Sequence, residues 1–314
     1  MRARLVANPK SGMDRATEFL PLINARLRTV VSDLDITITS TAEDAERAAV
    51  RAVDDRCDAL YVAGGDGTLN AVLRGLLTRD AMRAIPIGLI PLGTGNDFAK
   101  ALDLPEDPMA AVDVLLEHRV LDVDIGMLND RPFANTSAGG FVADVSEAVT
   151  EGLKDAAGKL AYLIGGARAL FGTVPFAARL FVNDAGESGS HQAVGALDVQ
   201  MFAVCNARFI GGGYAIAPAA LVDDGLLDVV VVPRMSTLEF LGVLQRLALG
   251  ADAGHRGVLH FRASSFDMEF DRVTHVNTDG ELLEASHCRY RVRRAAAQFF
   301  CGPNPHATQP PRST

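Results

Sequence analysis

Short apolar runs alternate with helical periodicity along the N-terminal part of the chain. Runs rich in β-branched residues predict strands at Arg4–Ala7, Asp35–Ser40, Ala59–Ala63 and Ile85–Ile90. Between them, apolar residues recur at helical spacing at Ala45, Ala48, Ala49, Ala52 and Val53, and at Leu69, Val72, Leu73, Leu76 and Leu77. Strands that alternate with helices indicate a parallel sheet covered by helices.

The pattern becomes rich in strands and glycine turns after Leu121. Strands are predicted at Arg179–Val182, Val199–Val204, Leu226–Val232, Ser265–Phe270 and Arg289–Arg293. Helical periodicity interrupts them at about Leu153–Phe171 and Thr237–Leu249. We therefore expect a mainly antiparallel second domain.

Composition narrows the class of protein. A chain of 314 residues suits two domains, and 48% hydrophobic with 22% charged residues is typical of folded proteins. A net charge of −9 argues against a nucleic-acid partner. We expect no signal peptide or membrane span, and the scattered cysteines indicate reduced thiols in the cytoplasm, with any contact at the inner membrane face transient.

A glycine-rich segment, GGDGTLN at residues 64–70, follows the third predicted strand and opens a predicted helix. Glycines let the backbone approach a ligand closely, and a helix N-terminus favours an anion such as phosphate. A tight turn capped by Asp66 or Thr68 would give the same pattern. Both interpretations are open for this segment by itself.

Two further loops follow the first and fourth predicted strands, NPKSG at residues 8–12 and PLGTGNDF at residues 91–98. Ligands of open α/β sheets bind beyond the carboxyl ends of the strands, so these loops predict one crevice. Ser11, Thr68, Thr94 and Asn96 offer donors there, and Asp66 and Asp97 could hold Mg²⁺. The GxxxxGK[ST] and GxGxxG motifs are absent, which argues against a P-loop enzyme and a Rossmann oxidoreductase.

These segments, in this order and spacing, resemble the catalytic domain of the diacylglycerol kinase and sphingosine kinase superfamily, and most of all its bacterial lipid kinases. GGDGT also occurs in NAD kinases, whereas PLGTGNDFA is more specific. The resemblance continues through DIG at 124–126, NTSAGGF at 135–141, AP at 217–218, DG at 224–225 and NTDGE at 277–281.

The resemblance implies an α/β nucleotide-binding domain of the NAD kinase and diacylglycerol kinase type at residues 1–124. A mainly antiparallel, β-sandwich-like domain would follow at 125–300, with its C-terminal segment returning to the first domain, and residues 301–314 would form a disordered tail. The implied ATP contacts are Asn8, Pro9, Lys10, Ser11, Gly12, Thr39, Gly64, Gly65, Asp66, Gly67, Thr68, Leu69, Asn70 and Thr94. Thr41 is the alternative to Thr39.

The resemblance also implies catalytic roles. Glu281 corresponds to the proposed proton acceptor for the lipid hydroxyl, and Asp124 and Asp97 to further catalytic carboxylates. Asp66 and Asp279 would hold Mg²⁺ beside the phosphates of ATP, because crowded carboxylates repel an anion unless a cation lies between. For the DGE segment, an ordinary Asp-Gly hairpin is the alternative.

A structural Mg²⁺ is implied at Leu221, Asp224 and Leu226, through two backbone carbonyls and one carboxylate. Some relatives have a further Asp where this chain has Ala219. A hairpin turn before the next strand is the alternative interpretation.

The implied activity is transfer of phosphate from ATP to a lipid hydroxyl, most simply that of diacylglycerol. Partners would be a lipid at a membrane surface, through peripheral contact, and a second copy of the chain as a candidate. The apolar and basic segment from Leu153 to Leu180, including Val174 and Phe176, could face lipid or pack inside the second domain. Another lipid alcohol, NAD, or a regulatory role without catalysis are the competing functions.

Overall fold

The computed structural model describes residues 1–12, 15–144, 174–183, 191–248 and 257–305. The predicted helix at Leu153–Phe171 and residues 306–314 of the predicted tail lie outside these ranges. The chain divides into two compact units. Unit 1 comprises Met1–Ile125 and the segment that begins at Arg294, and unit 2 comprises Gly126–Arg293.

Unit 1 alternates strands and helices as the periodicity predicted. Its elements are β1 (Arg2–Ala7), α1 (Arg15–Leu27), β2 (Asp33–Ile38), α2 (Ala42–Asp54), β3 (Ala59–Gly64), α3 (Asp66–Leu77), β4 (Ile87–Pro91), α4 (Asp97–Ala101) and α5 (Pro108–Leu115). The strands pair in parallel in the order β4-β3-β1-β2. This pairing confirms the predicted parallel sheet. The core of the unit is formed by the fully buried β3 and the buried apolar faces of α2 and α3.

The two boundaries between the units along the chain fall within two long strands. β5 (Val120–Leu128) begins in unit 1, and β15 (Glu281–Phe300) begins in unit 2 and ends in unit 1. Near the end of β15, Phe299 pairs in parallel with Ile87 of β4. The C-terminal segment thus contributes to the sheet of unit 1.

Unit 2 is mainly antiparallel, as predicted. Its further elements are β6 (Arg131–Phe133), β7 (Thr136–Gly140), β8 (Phe176–Asn183), β9 (His191–Cys205), β10 (Phe209–Ile210), β11 (Tyr214–Ala215), β12 (Leu227–Pro233), α6 (Thr237–Ala248), β13 (Leu259–Ala263) and β14 (Ser265–Thr278). Both β9 and β14 pair with β7 along one half and with β8 along the other. This arrangement encloses an aromatic core that includes Phe202, Phe266 and Tyr290.

For Phe176, the structure supports the packing alternative of the apolar segment at residues 153–180. It begins β8 and is 3% exposed, packed against Phe202 and Phe270 in the core of unit 2. Leu180, on the same face of the strand, is fully buried. The period-2 alternation of a strand therefore places these side chains inside, and Val174 is exposed just before the strand.

Candidate functional site

The loops singled out in the sequence lie at one edge of the sheet of unit 1. Parallel strands present their carboxyl ends together, and Asn8, Thr39, Gly65 and Leu92 each follow such an end. Backbone bonds join the first turns, since Asn8 N donates to Ala63 O (3.0 Å) and Leu92 N donates to Gly64 O (3.0 Å). The structure therefore brings the predicted nucleotide loops together.

Asn8 connects the first loop with helix α3. Its side-chain Nδ2 donates to Thr68 Oγ1 (3.2 Å), and its Oδ1 accepts from Lys10 N (3.0 Å), which turns the NPKSG segment. Pro9, Ser11 and Gly12 continue the loop half-buried. Lys10 is exposed, so its ammonium group is available to an anionic ligand.

Glycines are required where the loops approach one another. Gly12 has a φ of +66°, and a Cβ there would lie 2.0 Å from Leu92 O. A Cβ on Gly93 would lie 2.6 Å from the Cα of Gly65. Any side chain at Gly12 or Gly93 would push these loops apart, so the glycines fix the crowded edge.

Helix α3 presents a bare N-terminus to this edge. Its N-cap is Gly65, which provides no side-chain cap, and Thr68 N and Leu69 N bond back to Gly65 O. A Cβ at Gly67 would meet nothing within 4 Å. Since the first N–H groups of a helix have no partner within it, this end can bind a phosphate group. Leu69 and Asn70 are both buried, so neither side chain is presented to solvent at this end.

Asp66 holds α4 beside α3. Its two carboxylate oxygens accept from Asp97 N and Phe98 N, both at 3.1 Å. Burial raises the pKa of the Asp66 carboxyl above its ordinary value, the backbone bonds oppose the shift and the neighbouring Asp97 carboxylate adds to it. Ionised Asp66 therefore costs stability in the ligand-free protein, and a cation beside it would reduce that cost.

The remaining predicted polar residues of unit 1 differ in their surroundings. Asp97 is buried and lies 3.4 Å from Lys100 Nζ, an ion pair that the sequence analysis missed although the i, i+3 spacing indicates it. Asp124 is buried, and its Oδ1 accepts from Ala295 N (2.6 Å) in β15. Thr94 is exposed and its hydroxyl is accessible.

Thr39 and Thr41 both use their hydroxyls within the protein. Thr39 is 2% exposed and donates to Ala7 O (3.2 Å). Thr41 is the N-cap of α2 and accepts from Asp44 N (3.3 Å) in a capping box. Thr39 lies at the carboxyl end of β2, whereas the hydroxyl of Thr41 stabilises the start of a helix.

In unit 2, the NTDGE segment forms the two-residue hairpin between β14 and β15. Thr278 pairs with Glu281, and Asp279 and Gly280 have φ values of 48° and 88°. Positive φ at both central residues is typical of the type I′ turn that Asp-Gly favours. The hairpin interpretation is thus correct for the backbone, and it places Glu281 at the first position of β15.

Asp279 and Glu281 have different surroundings within this hairpin. Asp279 is 9% exposed and accepts from Ala134 N, Asn135 N and Thr136 N at 2.7 to 3.1 Å. Glu281 has a half-exposed side chain, and its Oε1 lies 3.1 Å from Arg131 Nη1. Asp279 therefore holds the backbone that leads into β7, while the Glu281 carboxylate remains accessible to a substrate.

The residues expected to hold a structural Mg²⁺ are not arranged to bind the ion directly, because the carboxylate among them already has partners in the protein. The Asp224 carboxylate accepts from Leu226 N through Oδ1 (3.0 Å) and pairs with Arg262 through Oδ2. Burial raises the pKa of Asp224, and the Arg262 charge opposes the shift. Leu221 is buried beside this turn. Both carboxylate oxygens are thus occupied by donors of the protein.

Two features are absent from the residues that the structure describes. No group of three or more His, Cys, Asp or Glu side chains in these ranges could hold a metal ion by itself. No helix there is long and apolar enough to cross a membrane. Any Mg²⁺ near Asp66 and Asp97 would need further oxygen ligands, such as water or the phosphate oxygens of a nucleotide.

Family models match both units of the chain. Residues 2–128 match the diacylglycerol kinase catalytic domain, and residues 136–301 match the YegS C-terminal NAD kinase beta sandwich-like domain.

Relatives extend over most of the chain. A protein of Staphylococcus carnosus (strain TM300) named diacylglycerol kinase is 31% identical over 280 residues, covering 89% of this chain and 88% of its own length. A protein of Xanthomonas oryzae pv. oryzae (strain MAFF 311018) named "Probable lipid kinase YegS-like" is 35% identical over 294 residues, covering 91% of both chains.

The fold also matches a solved structure. A crystal structure titled as a diacylglycerol kinase from Bacillus anthracis str. Sterne superposes with a TM-score of 0.74 over 96% of this chain and 97% of that chain, at 22% identity. Together with the two family models and the relatives above 30% identity, this likeness in fold leads to one conclusion: the chain belongs to the diacylglycerol kinase family and is a lipid kinase.

Proposed function

We propose that this lipid kinase transfers the γ-phosphoryl group of ATP to the free hydroxyl of diacylglycerol and releases ADP and phosphatidic acid. The observation that carries the nucleotide part is the bare N-terminus of α3, surrounded by glycine loops that approach within contact distance. The lipid part is supported by the match to relatives named diacylglycerol kinase over 89% of the chain.

The phosphates of ATP would bind to the backbone of residues 64–70 and to the loop at Asn8–Gly12. The N–H groups of α3 and the positive end of its dipole favour the phosphate charge. Lys10 and Thr94 are exposed at this edge and would contribute donors. The hydrogen bond from Asn8 to Thr68 and the close packing of Gly12 against Leu92 would hold the loops in place before the nucleotide binds. Binding would therefore need little further ordering of these loops.

Asp66 and Asp97 are the residues that would hold Mg²⁺ with the nucleotide. Their carboxylates are close enough for Asp97 to raise the pKa of Asp66, after the larger effect of burial. Two such carboxylates, with phosphate oxygens as further ligands, fit the preference of Mg²⁺ for oxygen. The ion would supply positive charge beside the phosphates.

Glu281 would act as the general base. Its carboxylate would accept the proton of the lipid hydroxyl as that oxygen bonds to the γ-phosphorus and the bond to the bridging oxygen of ADP breaks. Arg131 lies 3.1 Å away and fixes the orientation of the carboxylate. Asp124 would act indirectly, because its carboxylate accepts a hydrogen bond from Ala295 N and so holds the part of β15 that belongs to unit 1.

The substrate lies in a membrane, so the proposal includes peripheral contact with a lipid surface. Other lipid alcohols, namely phosphatidylglycerol and sphingoid bases, remain the alternative substrates.

The deciding experiment measures transfer of radiolabelled phosphate from ATP and Mg²⁺ to diacylglycerol, phosphatidylglycerol, ceramide and sphingosine in mixed micelles, with NAD as a control. We expect preferential labelling of diacylglycerol. Preferential labelling of another lipid would change the substrate, and ATP binding with no labelled product would favour a regulatory role.

A further inference from the structure

Three charged side chains of unit 2 meet at the beginning of β12. Asp224 lies in the turn before this strand, Asp228 lies within it, and Arg262 stands opposite Asp228 in the antiparallel pair of β12 with β13. Arg262 Nε is 3.3 Å from Asp228 Oδ2, and its Nη2 pairs with Asp224 Oδ2. One guanidinium therefore bridges two carboxylates through different nitrogen atoms.

The surroundings of this cluster require a positive charge. The side chain of Asp228 is 1% exposed and that of Asp224 is 18% exposed. Burying a carboxylate is unfavourable unless a cation or several donors compensate its charge. His260 faces Asp228 from the same strand as Arg262, with Nε2 3.4 Å from Oδ1, and Cys205 faces it from β9.

We propose that the guanidinium of Arg262 supplies the positive charge that a divalent cation at Asp224 would otherwise supply, so that unit 2 folds without a bound metal ion at this turn.

The donor set supports the proposal in two ways. The turn at residues 221–226 leaves no carboxylate oxygen of Asp224 unused, since Leu226 N donates to Oδ1 and Arg262 pairs with Oδ2. Residue 219 is Ala, which offers no side-chain ligand.

A consequence separates two roles of Mg²⁺. The ion would be needed at the nucleotide during phosphoryl transfer and not for the fold of unit 2. A chelator would then stop catalysis and leave thermal stability unchanged. Because the readout is stability without nucleotide, its outcome does not depend on which lipid is phosphorylated.

The first test compares the Tm of the full-length protein without nucleotide in EDTA and in about 10 mM Mg²⁺, by scanning calorimetry. We expect both values to agree within about 1 °C. A Mg²⁺-dependent rise in Tm that disappears in the Asp224→Asn variant would overturn the proposal. A rise that persists in that variant arises at another position and supports it.

The second test removes the cation with Arg262→Gln. We expect the Tm in EDTA to fall by about 6 °C or more, since two carboxylates lose their common partner. About 10 mM Mg²⁺ should restore about 3 °C or more, because the turn can then accept the ion. An unchanged Tm in EDTA, or a lowered Tm that Mg²⁺ does not raise at all, would contradict the proposal.

Two control variants accompany this test. Arg262→Lys keeps a positive charge, so its Tm should fall less than that of Arg262→Gln and should not respond to Mg²⁺. Arg291→Gln removes an exposed arginine of β15 in the same unit, and its Tm should change by no more than about 1 °C. Should Arg262→Gln fail to fold, the wild-type comparison and the response of Arg262→Lys to Mg²⁺ decide the question.

Discussion

Two carboxylates separated by a single residue, Asp279 and Glu281, show how the surroundings of a residue decide its role. The structure satisfies Asp279 with three backbone donors and leaves it 9% exposed. Glu281 pairs with Arg131 and has a half-exposed side chain. A proton acceptor must reach its substrate, so Glu281 is the better candidate for the base and Asp279 for a structural role.

Glu281→Gln tests the role of the base. The amide cannot accept the proton of the lipid hydroxyl, so we expect kcat to fall by about 10²-fold or more while ATP binding stays nearly unchanged. Single-turnover kinetics and nucleotide titration measure the two effects. Glu284→Gln, an exposed carboxylate on the same strand, is the matched control and should retain its kcat. A near-normal kcat for Glu281→Gln would remove Glu281 from this role.

Asp279→Asn tests the structural role. An asparagine offers one acceptor oxygen where the carboxylate offers two, so it leaves at least one backbone donor of the buried segment 134–136 unsatisfied. We expect the free energy of unfolding to fall by about 2 kcal/mol or more. Urea denaturation followed by circular dichroism measures this change. A loss below about 0.5 kcal/mol would show that these bonds contribute little to unit 2.

At the scale of elements, the edge proposed to bind the nucleotide depends on how closely its loops pack. The loop after β1 packs against the loop after β4 where Gly12 meets Leu92. The turn after β3 also packs against the loop after β4, where Gly65 meets Gly93. Helix α3 begins within this contact and α4 is held to it by Asp66. The loops thus pack as one body. We expect glycine to serve two purposes in them, which are close packing of the backbone and close approach of a phosphate group.

Gly12→Ala and Gly67→Ala distinguish these purposes. At Gly12 the backbone has a positive φ and a Cβ would collide with Leu92 O, so we expect a loss of about 2 kcal/mol or more in stability together with weaker ATP binding. At Gly67 a Cβ meets nothing, and alanine favours the helix, so stability should stay equal or rise by up to about 1 kcal/mol.

ATP affinity is the decisive readout for Gly67→Ala. If phosphate approaches the N-terminus of α3, the added methyl group should weaken ATP binding without loss of stability. Isothermal titration of ATP with each variant, beside thermal unfolding, measures both quantities. Unchanged ATP affinity in Gly67→Ala would place the phosphates away from this helix end.

At the scale of the whole molecule, both units enclose their cysteines. Cys57 and Cys301 lie in unit 1, Cys205 and Cys288 lie in unit 2, and all are free and buried. Burial, with a smaller effect of Asp228, raises the pKa of Cys205 well above its ordinary value. Burial also raises the pKa of Cys288 to about 12, and it raises those of Cys57 and Cys301.

A raised thiol pKa means less thiolate at a given pH, and the thiolate is the reactive form. We therefore expect the native protein to react very slowly with a thiol-specific reagent at about pH 8, and the urea-unfolded protein to react fast at all its cysteines. Absorbance of the released thionitrobenzoate measures both rates. Fast reaction of one native thiol would indicate local opening around that residue.

The sequence alone predicted both fold classes and the position of the loops in the proposed nucleotide site. Strand and helix periods are local properties, and parallel strands present their carboxyl ends at one edge by geometry, so Asn8, Gly65 and Leu92 could be placed together beforehand. The Asp-Gly turn was likewise readable, because positive φ at two successive residues is a local requirement.

Tertiary structure alone decided which charges meet. Arg131 and Glu281 are 150 residues apart, and Arg262 and Asp224 are 38 apart. Periodicity indicates which face of a strand is buried, but it does not give the register between distant strands, and that register selects these partners. For the same reason the sequence left the surroundings of Phe176 open, since its burial depends on β9 and β14 packing beside β8.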